Sequence, residues 1–191
     1  MSSLVQRAQN IIMSPKTEWP VIASESADVG SLYAGYIVPL AAIPQIAAFL
    51  SMALFLHLGL VYGLLFAVVS YVLGLIGVFI ISFVAAKLAP SFGGRDDQIQ
   101  GLKLAAYAYT PGWVAGICSI IPVLGGLVAL AGAIYGLYVL YLGAQPVMGV
   151  PSDKALVYTI VLIVVAIIVT AVLLSIPTMI LGGLLGAAMM H

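Results

Sequence analysis

The sequence predicts an all-α fold: a polytopic membrane helix bundle with five transmembrane helices, the N-terminus cytoplasmic and the C-terminus outside. Three observations predict it. The chain of 191 residues is 64% hydrophobic and only 6% charged, where a soluble domain is about 45–50% apolar and about 25% charged. Its mean hydropathy is +1.25, more apolar surface than a water-soluble fold can hide. Two long stretches carry no Lys, Arg, Asp or Glu, and the few charges that exist sort to one side once the spans are counted.

The N-terminal segment, residues 1–32, reads as a cytoplasmic amphipathic region. Leu4, Val5, Ala8, Ile11 and Ile12 recur at helical spacing opposite Gln6, Arg7, Gln9 and Asn10, which predicts a helix lying on the membrane surface or on the bundle. Ser14-Pro15 ends it, because the residue before proline is pushed out of helical geometry. A second short helix is expected from Thr17 as N-cap, with Glu18 in its first turn and Trp19 as an interfacial anchor. No short apolar core with a cleavage pattern is present, so the segment is expected to be retained.

The membrane domain, residues 33–191, follows. Tyr33 to Ala86 is free of Lys, Arg, Asp and Glu. Those residues would make about 80 Å of helix, against a hydrocarbon core of about 30 Å. The stretch must therefore cross twice, at about 36–56 and 60–84, with the break at His57. Pro39 and Pro44 kink the first span, and a facing helix or water should cover the freed carbonyls. Lys87 to Lys103 is read as a charged loop punctuated by Pro90, Gly93 and Gly94. Leu104 to Val150 is again uncharged and too long, and Pro122 with Gly125-Gly126 divides it into spans at about 104–121 and 124–142. The fifth, about 155–176, has no glycine and is expected to face lipid. The tail after Pro177 is too short for another crossing, so a continued or interfacial helix is expected.

This count puts all six Lys and Arg on one side: Arg7 and Lys16, then Lys87, Arg95 and Lys103, then Lys154. The positive-inside rule makes that side cytoplasmic. GxxxG spacing at Gly59/Gly63, Gly112/Gly116, Gly132/Gly136 and Gly182/Gly186 lets helix backbones approach closely. The first reading is packing within the chain; homodimerisation is the alternative.

One stretch stands apart, Lys103 to Trp113. It places Tyr107, Tyr109, Thr110, Pro111 and Gly112 where a plain span carries Leu and Val. Pro111 frees a carbonyl near Tyr107. The structural reading is a kinked, tightly packed helix. The functional reading is a small polar pocket formed with Tyr33, Tyr36 and Pro39. The tyrosines at 135, 138 and 141 form a further stripe, read as packing by default.

YAYTP at Tyr107 to Pro111 resembles the aromatic, small, aromatic, small, proline signature opening the third span of the Yip (Ypt-interacting protein) domain family. Asp28 to Tyr33, with Gly35-Tyr36 and Pro39, is similar to the pattern leading into that family's first span. Ile11 to Glu25 resembles the entry segment of its short bacterial members. The resemblance implies a five-span protein of the bacterial or archaeal cell membrane. It marks Asp28, Tyr33, Tyr36, Pro39, Tyr107, Tyr109, Thr110, Pro111 and Trp113 as candidate binding residues. The long N-terminal region of eukaryotic members is absent, so their Rab GTPase partnership is not carried over.

Catalytic chemistry finds little footing. Asp96-Asp97 is the one adjacent carboxylate pair and reads as solvated loop charge. His57 has no second ligand near it in the chain, Ser119 has no orienting group, and no phosphate-binding glycine motif occurs. Cys118 is single and lies in an apolar run. No metal or other cofactor is implied, and zero net charge argues against nucleic acid. The expectation is a non-enzymatic scaffold or adaptor whose partners are membrane lipids, a membrane protein or a second copy. The alternative is a small permease or channel-like subunit for a neutral or lipidic solute. A lipid-modifying enzyme using Asp96 and Asp97 is the distant third.

Overall fold

The computed structural model describes residues 3–56 and 60–189, and among them the secondary structure is entirely helical. His57 and Gly59, and the expectations placed on them, lie outside the described residues.

Helix α1 (Leu4–Met13) starts at Ser3, whose side chain accepts a hydrogen bond from the Gln6 N–H. Helix α2 (Pro15–Ser24) follows after one residue. It begins at Pro15, earlier than the Thr17 cap expected from sequence. Proline is well suited to a first helical position, where its missing N–H has no partner to lose. These two helices lie on the bundle. Ile11, Trp19 and Ile22 are fully buried. The interfacial anchor expected of Trp19 is therefore corrected: its ring is a core side chain.

Helix α3 (Val29–Leu32) is capped reciprocally by Asp28 and Ser31. A π-helical turn (Tyr33–Ile37) leads into α4 (Val38–Ser51). Its cause lies two residues on. Pro39 has no N–H for the Gly35 carbonyl, and the chain relaxes into a wider turn in which the Val38 N–H reaches back to the Tyr33 carbonyl. Pro39 is exposed, so the bonding change is local; no facing helix covers it. Pro44, by contrast, abuts Gly116, where a Cβ would come within 2.6 Å of the proline ring.

Helix α5 (Leu60–Leu88) carries mostly apolar side chains outward and ends in a short 3-10 turn (Ala89–Phe92). Lys87 pairs with Asp96 at 2.6 Å on the exposed surface. Asp97 caps α6 (Gln98–Ala115), accepting from the Ile99 and Gln100 N–H groups. The charged loop is therefore shorter than the sequence suggests. Lys103 belongs to α6 and is buried, with 2% of its surface exposed.

Helix α6 is the hub. Leu102, Leu104, Ala106 and Thr110 are fully enclosed, with α4, α5 and α7 (Leu124–Met148) packed around it. Small residues set the α6–α7 distance. A Cβ at Gly132 would meet Ala115 at 2.4 Å, and one at Gly136 would meet the Ala108 carbonyl at 2.7 Å. This GxxxG pair packs within the chain, as close helix contact in lipid requires. A tight turn precedes α7: Val123 has φ 66°, and the Leu124 N–H bonds to the Pro122 carbonyl at 2.8 Å. That is a γ-turn of the strained hand, adopted by a β-branched residue.

Arg95 closes the other end of α7, its backbone N–H donating to the Met148 carbonyl. Helix α8 (Ser152–Met189) leans on α5 and exposes most of its length. It continues past Pro177, which answers where the tail goes. Among the described residues, four helical runs are long and apolar enough to cross a membrane: Val29–Leu54, Leu60–Phe92, Leu124–Met148 and Ser152–Ile180. Helix α6, 18 residues long, is the less apolar one they enclose.

Candidate functional site

The two motif segments meet. The Tyr36 hydroxyl and Thr110 Oγ1 lie 2.8 Å apart, and Thr110 donates to the Ala106 carbonyl one turn back at 3.2 Å. The Tyr107 ring packs against Tyr36 with centroids 4.5 Å apart and stands edge-on to Trp19 at 6.1 Å. The Trp19 indole N–H donates to the Val139 carbonyl on α7 at 2.9 Å. A hydroxyl buried without a partner is costly. Here Tyr36 and Thr110 satisfy each other at a depth where neither has water.

Between these segments Tyr36, Tyr107, Thr110 and Trp19 pack against one another, the arrangement of the packed-helix reading rather than of the small polar pocket. The remaining candidates scatter. Asp28 caps α3, and bonds from Ser31 to its carboxylate hold it below its ordinary pKa. Tyr33 donates to the Leu75 carbonyl on α5 at 2.8 Å. Pro39 faces outward, Pro111 is buried in α6, and Tyr109 stacks on Trp113 with centroids 5.8 Å apart on another face of α6.

One helical turn before Tyr107 lies a polar cluster that sequence reasoning did not assemble. Lys103 donates to the Ile22 carbonyl at 3.0 Å and to the Glu25 carbonyl, so its ammonium closes the C-terminal end of α2. A cation is favoured at that pole of a helix. Burial holds the Lys103 pKa below its ordinary value, and the charges of Glu25 and Asp97 oppose the shift. Arg7 of α1 pairs with Glu18 and Glu25 of the α2 region. Burial works against its charge, but the Glu25 hydrogen bond and the nearby charges outweigh it and raise its pKa. Gln100 donates to the Ala23 carbonyl at 3.0 Å, and Tyr135 to the Ile12 carbonyl at 2.8 Å. The signal was in the spacing: 103, 107 and 110 share one face of a helix once it begins at Gln98.

The opposite face of α6 borders a cavity of about 430 Å³ between α6, α7 and α8, with Ile81 of α5 at its edge. Ala108, Gly112, Ala133 and Gly136 line it from α6 and α7 with little or no side chain. The polar side chains in its lining are Tyr109 and Thr170. The cavity is open on one side, between α7 and α8, rather than enclosed by the bundle.

The comparisons with known proteins follow the same two segments. The Yip1 domain pattern matches residues 10–174, which takes in the last turn of α1, all of α2, both motif segments and the first 23 residues of α8. The inner membrane protein YohC of Escherichia coli K12 is 28% identical over 179 residues, covering 88% of this chain and 92% of the relative. Its counterpart in E. coli O6:H1 matches equally. No solved structure matches the chain. The relatives are inner membrane proteins, and four helices among the described residues are long and apolar enough to cross a membrane; the place of this protein is the cell membrane. With its matched pattern spanning most of its length, the chain belongs to the Yip1 domain family.

Proposed function

We propose that the protein is a non-enzymatic membrane scaffold or adaptor whose α1–α2 cap is a fixed docking platform on the cytoplasmic side. Five crossings, with α6 as the central one, put the cap inside and the end of α8 outside. The observation that carries this reading is the seating of the cap. Two short helices that could have floated at the membrane surface are instead anchored by Trp19, Lys103 and the Arg7–Glu18–Glu25 cluster. Their outer face presents Val5, Met13 and Val21 among Gln6, Gln9 and Lys16. An immobilised surface of mixed polarity suits a protein partner, since binding then has no helix to order. Membrane lipids and a second copy are its remaining partners.

The test places a photocrosslinking residue at Gln9 or Met13 in membranes, with Ile168 on α8 as control. A discrete adduct at the cap, absent at Ile168 and lost when Val5 is replaced by Glu, supports the reading. Uniform lipid labelling at all three positions overturns it. A C-terminal reporter active only in the cytoplasm would overturn the five-crossing topology.

A second reading, a small permease or channel-like subunit for a neutral or lipidic solute, draws on the cavity beside α8. It requires a path through the bundle, and the space between α4 and α6 is filled by Tyr36, Tyr107 and Trp19.

A further inference from the structure

The cavity against α8 has a shape that selects its occupant. Along α8 it runs from Ile163 to Leu174, about 16 Å at 1.5 Å per residue. That is roughly half of the hydrocarbon thickness of about 30 Å, or one leaflet. A volume of about 430 Å³ is roughly a third of what the same length of helix, about 10–12 Å across with its side chains, would fill. Neither a helix of a second copy nor a helix of a protein partner fits. Its mouth lies between α7 and α8, where Leu137 is 40% and Ile167 62% exposed. That opening is at the level of the membrane-length helices, so what reaches it is hydrocarbon. No Lys, Arg, Asp or Glu lines it, so a charged head group has no counter-ion there and must remain at the membrane surface.

We infer that this crevice holds one acyl chain of a glycerophospholipid from the surrounding bilayer, entering between α7 and α8 and lying along α8. The short residues on α6 and α7 make the slot, and Ile163 and Ala166 form its wall on the α8 side. The Tyr109 and Thr170 hydroxyls sit in the lining near one another, where they mark the one polar point along the chain's path. A bound chain also explains how α8 stands off from α6 without collapsing onto it. The inference needs only the membrane setting, and it stands or falls separately from the scaffold reading.

The test uses the full chain reconstituted in phosphatidylcholine vesicles containing a small fraction of phosphatidylcholine with a mid-chain photoactivatable diazirine. Adducts are mapped by peptide mass spectrometry. Expected are concentrated adducts on the inward faces, at Ala108 to Gly112 and Ala133 to Leu137, beyond the diffuse labelling of outward residues such as Ile168. Ala166→Phe, which narrows the slot from α8, should cut inward labelling at least fivefold and leave Ile168 labelling unchanged. Ala133→Phe, which fills it from α7, provides a second variant should the first fail to fold. A conservative pair, Thr170→Val and Tyr109→Phe, should retain the adducts, since the chain is held by shape. Labelling confined to outward faces overturns the inference. So does inward labelling that the filling variants leave unchanged, or that excess free fatty acid displaces while excess phosphatidylcholine does not. Cross-links from the crevice to a second copy of the chain would overturn it as well.

Discussion

Replacing Lys103 by Met should release the α1–α2 cap while leaving the bundle intact. The substitution keeps the apolar stem and removes the ammonium, so the Ile22 and Glu25 carbonyls lose their donor. A hydrogen bond to a charged group contributes about 1.5–3 kcal/mol, and part of this is offset because an ammonium no longer has to be buried. The net loss works out at about 2 kcal/mol, or roughly a 30-fold rise in the detached population at about 1.4 kcal/mol per tenfold. Hydrogen exchange measures it directly. Amides in the last turn of α2 should exchange roughly 30-fold faster, with those of α5 and α7 unchanged. Rates in α2 within threefold of wild type would show that the two bonds contribute nothing net. Equal acceleration across α5 and α7 would show that Lys103 supports the bundle rather than the cap. The pH dependence has a definite sign. Burial lowers the Lys103 pKa in the attached state below its free value of 10.5, so detachment takes up a proton between those two values. Attachment therefore strengthens as pH rises through that window, and the Met variant should lose this dependence.

Three further outcomes follow from the packing. Tyr36→Phe removes the bond to Thr110 but leaves Thr110 its own carbonyl partner. It should cost about 0.6 kcal/mol, and at most about 1.7, as interhelical bonds in membranes do; unfolding in mixed detergent micelles reads this, and adding Thr110→Val should cost less than the sum of the single changes. Gly132→Leu drives a side chain into Ala115 and the Pro111 carbonyl, whereas Gly74 has nothing within 4 Å of its Cβ position. Thermal unfolding should show the first variant failing to form the native bundle and Gly74→Ala gaining up to about 1 kcal/mol from helix propensity alone. Val123→Gly should stabilise the chain by about 1–3 kcal/mol by relieving the positive φ of the turn before α7; an unchanged melting temperature would count against that turn.

The all-helical membrane character was legible because its signal is coarse: charge-free stretches longer than a bilayer is thick must fold as apolar helices, and four helices among the described residues are long and apolar enough to cross. What was not legible lies in residues whose surroundings contradict their type. Lys103 looks like loop charge, and only the cap at Asp97, which starts α6 early, brings it inside. Trp19 looks like an interfacial anchor because an indole suits that place, but Gly143 opens a seat for it: a Cβ there would lie 2.7 Å from the ring. The pairing of Tyr36 with Thr110 was legible as proximity, from two motifs at similar depth. Whether they enclosed a space or filled it depended on Tyr107 and Trp19, whose orientations no local pattern specifies. The crevice beside α8 went unread because its signal is the shortness of Ala and Gly, which packing explains equally well.

The aromatic donors of this bundle share a habit. Trp19, Tyr33, Tyr71, Tyr135 and Tyr158 each donate to a main-chain carbonyl of another helix, at Val139, Leu75, Val38, Ile12 and Ala85 respectively. The accepting atom is the same whatever side chain the accepting residue bears. Each of these ties therefore constrains one position and leaves its counterpart free to drift among apolar residues. Methods that infer helix neighbours from paired substitutions would find no trace of them. Random mutagenesis should accordingly be lopsided, with intolerant donors facing indifferent acceptors across every one of these helix contacts.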